Sequence, residues 1–103
     1  MQLDIYSNPV TRARAAFPYV STLHSERAGA GATRIVAFMA PANAFGASPG
    51  RLLPLVSYSG VSYRLDLLTI TNIPASTLTA PCGDLRAFRD DIVSALDWLF
   101  LGV

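Results

Sequence analysis

Three places in this sequence have residue types that could do chemistry: the run His24, Ser25, Glu26, the adjacent carboxylates Asp90 and Asp91, and the lone thiol Cys82. A nucleophilic triad needs a hydroxyl, an imidazole and an acid converging in space, which adjacency in the chain does not supply. His24 therefore reads as an ordinary strand-end or surface histidine. Two carboxylates can share acid and base roles only when they face a common site, and neighbours on a helix point about 100° apart. Asp90 and Asp91 thus read as helix solvation. Cys82 follows a proline, has no base near it in sequence and reads as a small inert thiol. One Cys and one His give little basis for a metal site. Gly29 and Gly31 lack the strand-to-helix context that a phosphate-binding loop requires. No catalytic residue, metal or cofactor is expected.

The elements that position these residues follow from the hydrophobic pattern. Leu3 and Ile5 alternate with Gln2 and Asp4 in a short first strand, which Asn8-Pro9 ends. Thr11 to Ala16 forms a polar loop carrying Arg12 and Arg14. Phe17 to Leu23 is a second strand, residues 28–32 a flexible connection, and Arg34 to Met39 a central strand apolar on both faces. Pro41 to Gly50 reads as a long loop. Ser59-Gly60 joins Leu52–Tyr58 to Val61–Ile70 as a hairpin, and Val61, Tyr63, Leu65 and Leu67 share one face. Asp84 is placed to cap a helix whose stripe is Leu85, Phe88, Ile92, Ala95, Leu96 and Leu99. The spacing predicts strands over about 2–70 and a helix over about 85–100, with Arg86, Arg89, Asp90 and Asp97 on its solvated face. The expected class is β-rich α+β, a strongly curved antiparallel sheet or small barrel with the helix packed on it.

A chain of 103 residues implies one domain with one modest core. Hydrophobic residues make up 51% and charged residues only 15%, so part of the surface is expected to be covered by another subunit. A net charge of +1 offers no electrostatic case for direct nucleic-acid binding. All eight basic residues are Arg, a side chain suited to protein interfaces. The single cysteine excludes an internal disulfide and fits a reducing compartment. No signal peptide or run of about 20 apolar residues is evident, so a soluble, cytoplasmic protein without membrane contact is expected.

Read in order, the landmarks resemble the CcdB family of toxins from end to end. They are Met1-Gln2 and Tyr6; Val20, Ser25 and Glu26; Arg34-Ile35-Val36; Leu53-Pro54-Leu55-Val56, Gly60 and Tyr63; and Ile73-Pro74. The tail is the most specific stretch: Asp84-Leu85, Arg89-Asp90-Asp91-Ile92, Ala95-Leu96-Asp97 and Phe100-Leu101-Gly102-Val103. The resemblance implies an SH3-like antiparallel β-barrel with a C-terminal helix, the architecture shared by CcdB-like and MazF-like proteins, assembled as a homodimer. It further implies a non-catalytic toxin that binds the A subunit of DNA gyrase and traps the cleaved-DNA complex. A CcdA-like antitoxin with a disordered C-terminal segment would neutralise it. Leu101, Gly102 and Val103 match the gyrase-binding tip, while Arg12 and Arg14 are antitoxin-binding candidates on charge grounds.

Three positions depart from the family pattern. His24 stands where the family has Gln, Phe38 replaces a strand proline, and Leu101 replaces the Trp that stacks on a gyrase arginine. Trp98 lies three residues earlier and out of register with that position. The loss of the tip Trp implies attenuated poisoning, and makes a non-toxic or retargeted interaction protein the first alternative. A MazF-like endoribonuclease is the second; against it, Arg34 is followed by Ile35 rather than by proline.

Overall fold

The computed structural model describes residues 3–23, 33–45, 50 and 52–102. His24, Ser25, Glu26, the connection at 28–32 and Val103 lie outside the described residues. Among the described residues, six antiparallel strands form one sheet: β1 (Asp4–Ser7), β2 (Tyr19–Thr22), β3 (Thr33–Pro41), β4 (Leu55–Tyr58), β5 (Val61–Pro74) and β6 (Gly83–Asp84). Their spatial order is β4-β5-β3-β2-β1-β6, and the sheet curls into a nearly closed barrel followed by a C-terminal helix, α1 (Arg89–Leu101). This is the SH3-like barrel with a C-terminal helix that the resemblance implied.

The hairpin at Ser59-Gly60 forms as the sequence predicts. Both residues have positive φ, 54° and 78°, the twist that lets a two-residue loop join right-handed strands. On β5, Tyr63, Leu65 and Leu67 turn inward, whereas Val61 at the hairpin end is exposed. They meet Leu3, Ile5, Ala37, Met39 and Val56 from neighbouring strands and Ile92 and Ala95 from α1. Phe88, Leu96 and Leu99 of the expected helical stripe pack against this core as well. The opposite sheet face carries a small second cluster of Val20, Val36 and Ile73, flanked by Tyr6, Phe38 and Leu78.

Several boundaries differ from the expectation, each for a local reason. β5 runs to Pro74 rather than Ile70, because residues 71–74 pair with 33–36 of β3. Between the two paired stretches, Ala37 of β3 stands against four residues of β5, Leu67 to Ile70. Thr69 closes this irregularity: its hydroxyl accepts the Phe38 N–H at 2.9 Å and donates to the Asp66 carbonyl at 2.7 Å. The bend lets one strand serve both apolar clusters. β3 likewise continues to Pro41, and Ala42–Ala44 then forms a 3₁₀ turn where a loop was expected.

Asp84 does not cap α1. It pairs with Asp4 as part of β6, and its carboxylate accepts the Arg86 N–H at 3.0 Å at the start of the 3₁₀ turn Arg86–Phe88. The α-helix proper starts at Arg89, without a side-chain cap. Arg86 is not simply solvated either; its guanidinium reaches Asp4 at 3.7 Å.

The barrel is closed between β4 and β6 by a side chain rather than a ladder. The Tyr58 hydroxyl donates to the Cys82 carbonyl at 3.1 Å. Its ring lies so close to Gly83 that a Cβ there would come within 2.7 Å. Tyr19 packs edge-on to both Tyr58 and Tyr63, with ring centroids 5.2 and 5.8 Å apart. Hydrogen bonding to Cys82, then burial, raises the Tyr58 hydroxyl above its ordinary pKa; burial, then Tyr19, does the same to Tyr63.

Candidate functional site

The last turn of α1 presents apolar surface to solvent, as do Leu55, Val61 and Leu68 on the sheet. Ile92 and Ala95 are buried in the core, and the 3.6-residue period then carries the next apolar side chains past the buried stripe. Phe100 and Leu101 are 72% and 69% exposed. Gly102 follows in the left-handed conformation with φ +71°, and its N–H bonds the Trp98 carbonyl at 3.0 Å. A glycine here ends the helix without the strain a side chain would impose. Of the three expected tip residues, Leu101 and Gly102 thus sit at the exposed helix end.

Phe100 also borders a shallow apolar cavity of about 230 Å³ with Leu23, Ile35, Ile70 and Leu96. Four elements meet here: the end of β2, β3, the bent part of β5, and α1. Ile35 is 41% exposed although it belongs to the most central strand. The linear pattern offered one signal for this surface, which is that Phe100 falls off the core-facing stripe. That Ile35 and Ile70 lie beside it depends on strand pairing and could not be read from spacing.

The other expected site, at Arg12 and Arg14, is organised by a residue the sequence reading passed over. Asn8 is fully buried, and all its polar groups are engaged. Its side-chain amide donates to the Phe17 carbonyl at 2.8 Å and its side-chain oxygen accepts the Val10 N–H at 2.9 Å. Its own N–H donates to the Pro18 carbonyl at 3.0 Å, and its carbonyl accepts from Arg14 Nε at 2.6 Å. A buried amide satisfied on every side fixes the loop around it. Arg12 and Arg14 are both exposed, on and just after the 3₁₀ turn Thr11–Ala13.

Among the described residues, Cys82, Asp90 and Asp91 each have local partners or face solvent. Cys82 is a free thiol whose Sγ donates to the Ile5 carbonyl at 3.4 Å. Asp90 lies 3.9 Å from Arg89, and both are exposed. Among the described residues no group of three or more His, Cys, Asp or Glu could hold a metal ion, and no helix is long and apolar enough to cross a membrane.

In comparison with known proteins, the model of the family described as CcdB protein matches residues 2–102. No curated protein matches the chain.

Proposed function

Because the chain belongs to the CcdB family, whose members are toxins that poison DNA gyrase, we propose that it is the toxin of a type II toxin–antitoxin pair directed at the gyrase A subunit. The observation that carries this reading is the family match, which spans residues 2–102 of the 103-residue chain. The exposed helix end at Leu101 and Gly102 supports it, since a poison of this kind acts through a protruding tip.

The mechanism is binding without chemistry. A homodimer enters between the two gyrase A subunits and holds the enzyme in its cleaved-DNA state, so the free energy of association does the trapping. The apolar surface of Ile35, Ile70, Leu96 and Phe100 supports twofold self-association, which would present two tips on one side. Leu101 supplies apolar burial worth about 1.5–3 kcal/mol but no aromatic stack on a gyrase arginine. The poisoning is accordingly weaker than that of a Trp-bearing relative. A CcdA-like antitoxin neutralises the toxin, with the Arg12 loop as an acidic-segment contact.

The test is a gyrase cleavage assay run beside an RNA cleavage assay. Accumulation of linear DNA after protein denaturation, with intact RNA, is the expected result. RNA cleavage would select the MazF-like reading. Inactivity in both assays, with the protein folded, would select a retargeted interaction protein, the reading that Leu101 favours.

A further inference from the structure

β4 is the terminal strand of the sheet among the described residues, and part of its outer side is open. Leu65 and Leu67 donate their N–H groups to the carbonyls of Pro54 and Leu52, both at 3.1 Å, so the even-numbered residues of this segment face β5. Leu53, Leu55 and Ser57 therefore turn their backbone polar groups to the free edge. Helix α1 does not cover them: a cavity of about 480 Å³ separates Leu53, Leu55 and Arg64 from Ser94 and Trp98. Nearer the hairpin, the bond from Tyr58 to the Cys82 carbonyl closes the edge against β6.

An open edge is a template for pairing with the same edge of another chain, and the local sequence does little to prevent it. From Leu52 to Tyr63 there is no charged side chain, and Leu55 is 48% exposed. Pro54 cannot block the edge, because its missing N–H lies on the side that faces β5. Protection comes instead from the neighbouring strand. Arg64 sits opposite Leu55, and its Nη1 donates to the Leu53 carbonyl at 3.0 Å, in the place an incoming strand would take. Its Nε is buried without a hydrogen-bond partner among the described residues, so holding the guanidinium here carries a cost. A second copy approaching by twofold symmetry would have to displace the Nη1 bond. It would also bring its own Arg64 into the same seam, where like charges repel.

We propose that Arg64 is an edge guard, which occupies the open edge of β4 and keeps it from pairing with the β4 of a second copy. The inference does not depend on the gyrase reading, and the contact it prevents is distinct from the apolar surface around Phe100.

The test compares wild type with Arg64→Met, a side chain of similar length without charge or donors. Arg64→Gln is measured beside it, so that the comparison survives if Met unfolds the chain. By light scattering, wild type should hold one mass from micromolar to about millimolar protein. The folded Arg64 variants should grow about twofold or more in mass over that range, since each edge contact joins two particles. Amide exchange at Leu55 and Ser57 should slow roughly tenfold with concentration in the variants, with little change at Val56, which faces β5. Adding Ser57→Pro removes an outward N–H without touching the ladder to β5, and should return each variant to wild-type mass. A folded Arg64 variant that holds wild-type mass throughout, or growth that Ser57→Pro leaves unchanged, would overturn the proposal.

Discussion

Arg14 Nε donates to the backbone carbonyl of Asn8 at 2.6 Å, which makes one of the two loop arginines a strut for the loop. Arg12 makes no such bond among the described residues. The two therefore separate: Arg14→Ala should cost about 1–3 kcal/mol in a urea melt, while Arg12→Ala should leave stability within about 0.5 kcal/mol. Antitoxin affinity, measured by calorimetry, should fall for Arg12→Ala. Equal stability losses in the two variants would remove the strut.

The seam between β4 and β6 rests on Tyr58. Tyr58→Phe removes the bond to the Cys82 carbonyl and should cost about 1 kcal/mol. Gly83→Ala should cost about 1–3 kcal/mol, since its Cβ would lie 2.7 Å from a ring that Tyr19 holds in place. Denaturant melts in which Gly83→Ala matches wild type would show that the seam is loose.

Alkaline lability follows from the same tyrosines. Burial raises the Tyr63 hydroxyl above its ordinary 10.0, so the folded state resists ionisation that the unfolded chain accepts. The contribution is full below pH 10.0 and is lost as pH rises through the folded-state value. Tyr63→Phe should flatten the decline of stability above that pH, and an unchanged slope would assign the lability elsewhere.

A twofold interface over Ile35 and Phe100 predicts that Phe100→Asp dissociates the dimer. Because Phe100 is 72% exposed in the single chain, the variant should remain folded. Light scattering at micromolar concentration should give twice the chain mass for wild type and 11.0 kDa for Phe100→Asp. Wild type at the single-chain mass would refute self-association.

What could be read from the sequence depended on regular periods. Tyr63, Leu65 and Leu67 announced their shared face because one side of the sheet is buried, and the helical stripe announced Ile92 and Ala95 in the same way. The bend at Leu67 to Ile70 broke the period: Leu67 joins the main core while Ile73 joins the opposite cluster. No alternation survives that phase change, so the strand seemed to end early. β6 was hidden because Gly83 and Asp84 alone carry no period, and Asp84 resembled a helix cap. The helix end at Gly102 was legible from glycine chemistry. The neighbours of Phe100, and Asn8 beneath the arginine loop, were not, since both depend on contacts between residues distant in the chain.

The central claim is that this chain poisons gyrase through its C-terminal tip. The most direct measurement titrates wild type, Leu101→Trp and a chain ending at Phe100 against purified gyrase and supercoiled plasmid, and quantifies cleaved DNA. Restoring an aromatic–arginine stack at two symmetric contacts should strengthen poisoning by about 5- to 1000-fold for Leu101→Trp. The truncated protein, with its dimer intact, should yield no cleaved DNA above background. A folded, truncated dimer that stabilises cleaved DNA at the wild-type concentration would contradict the account.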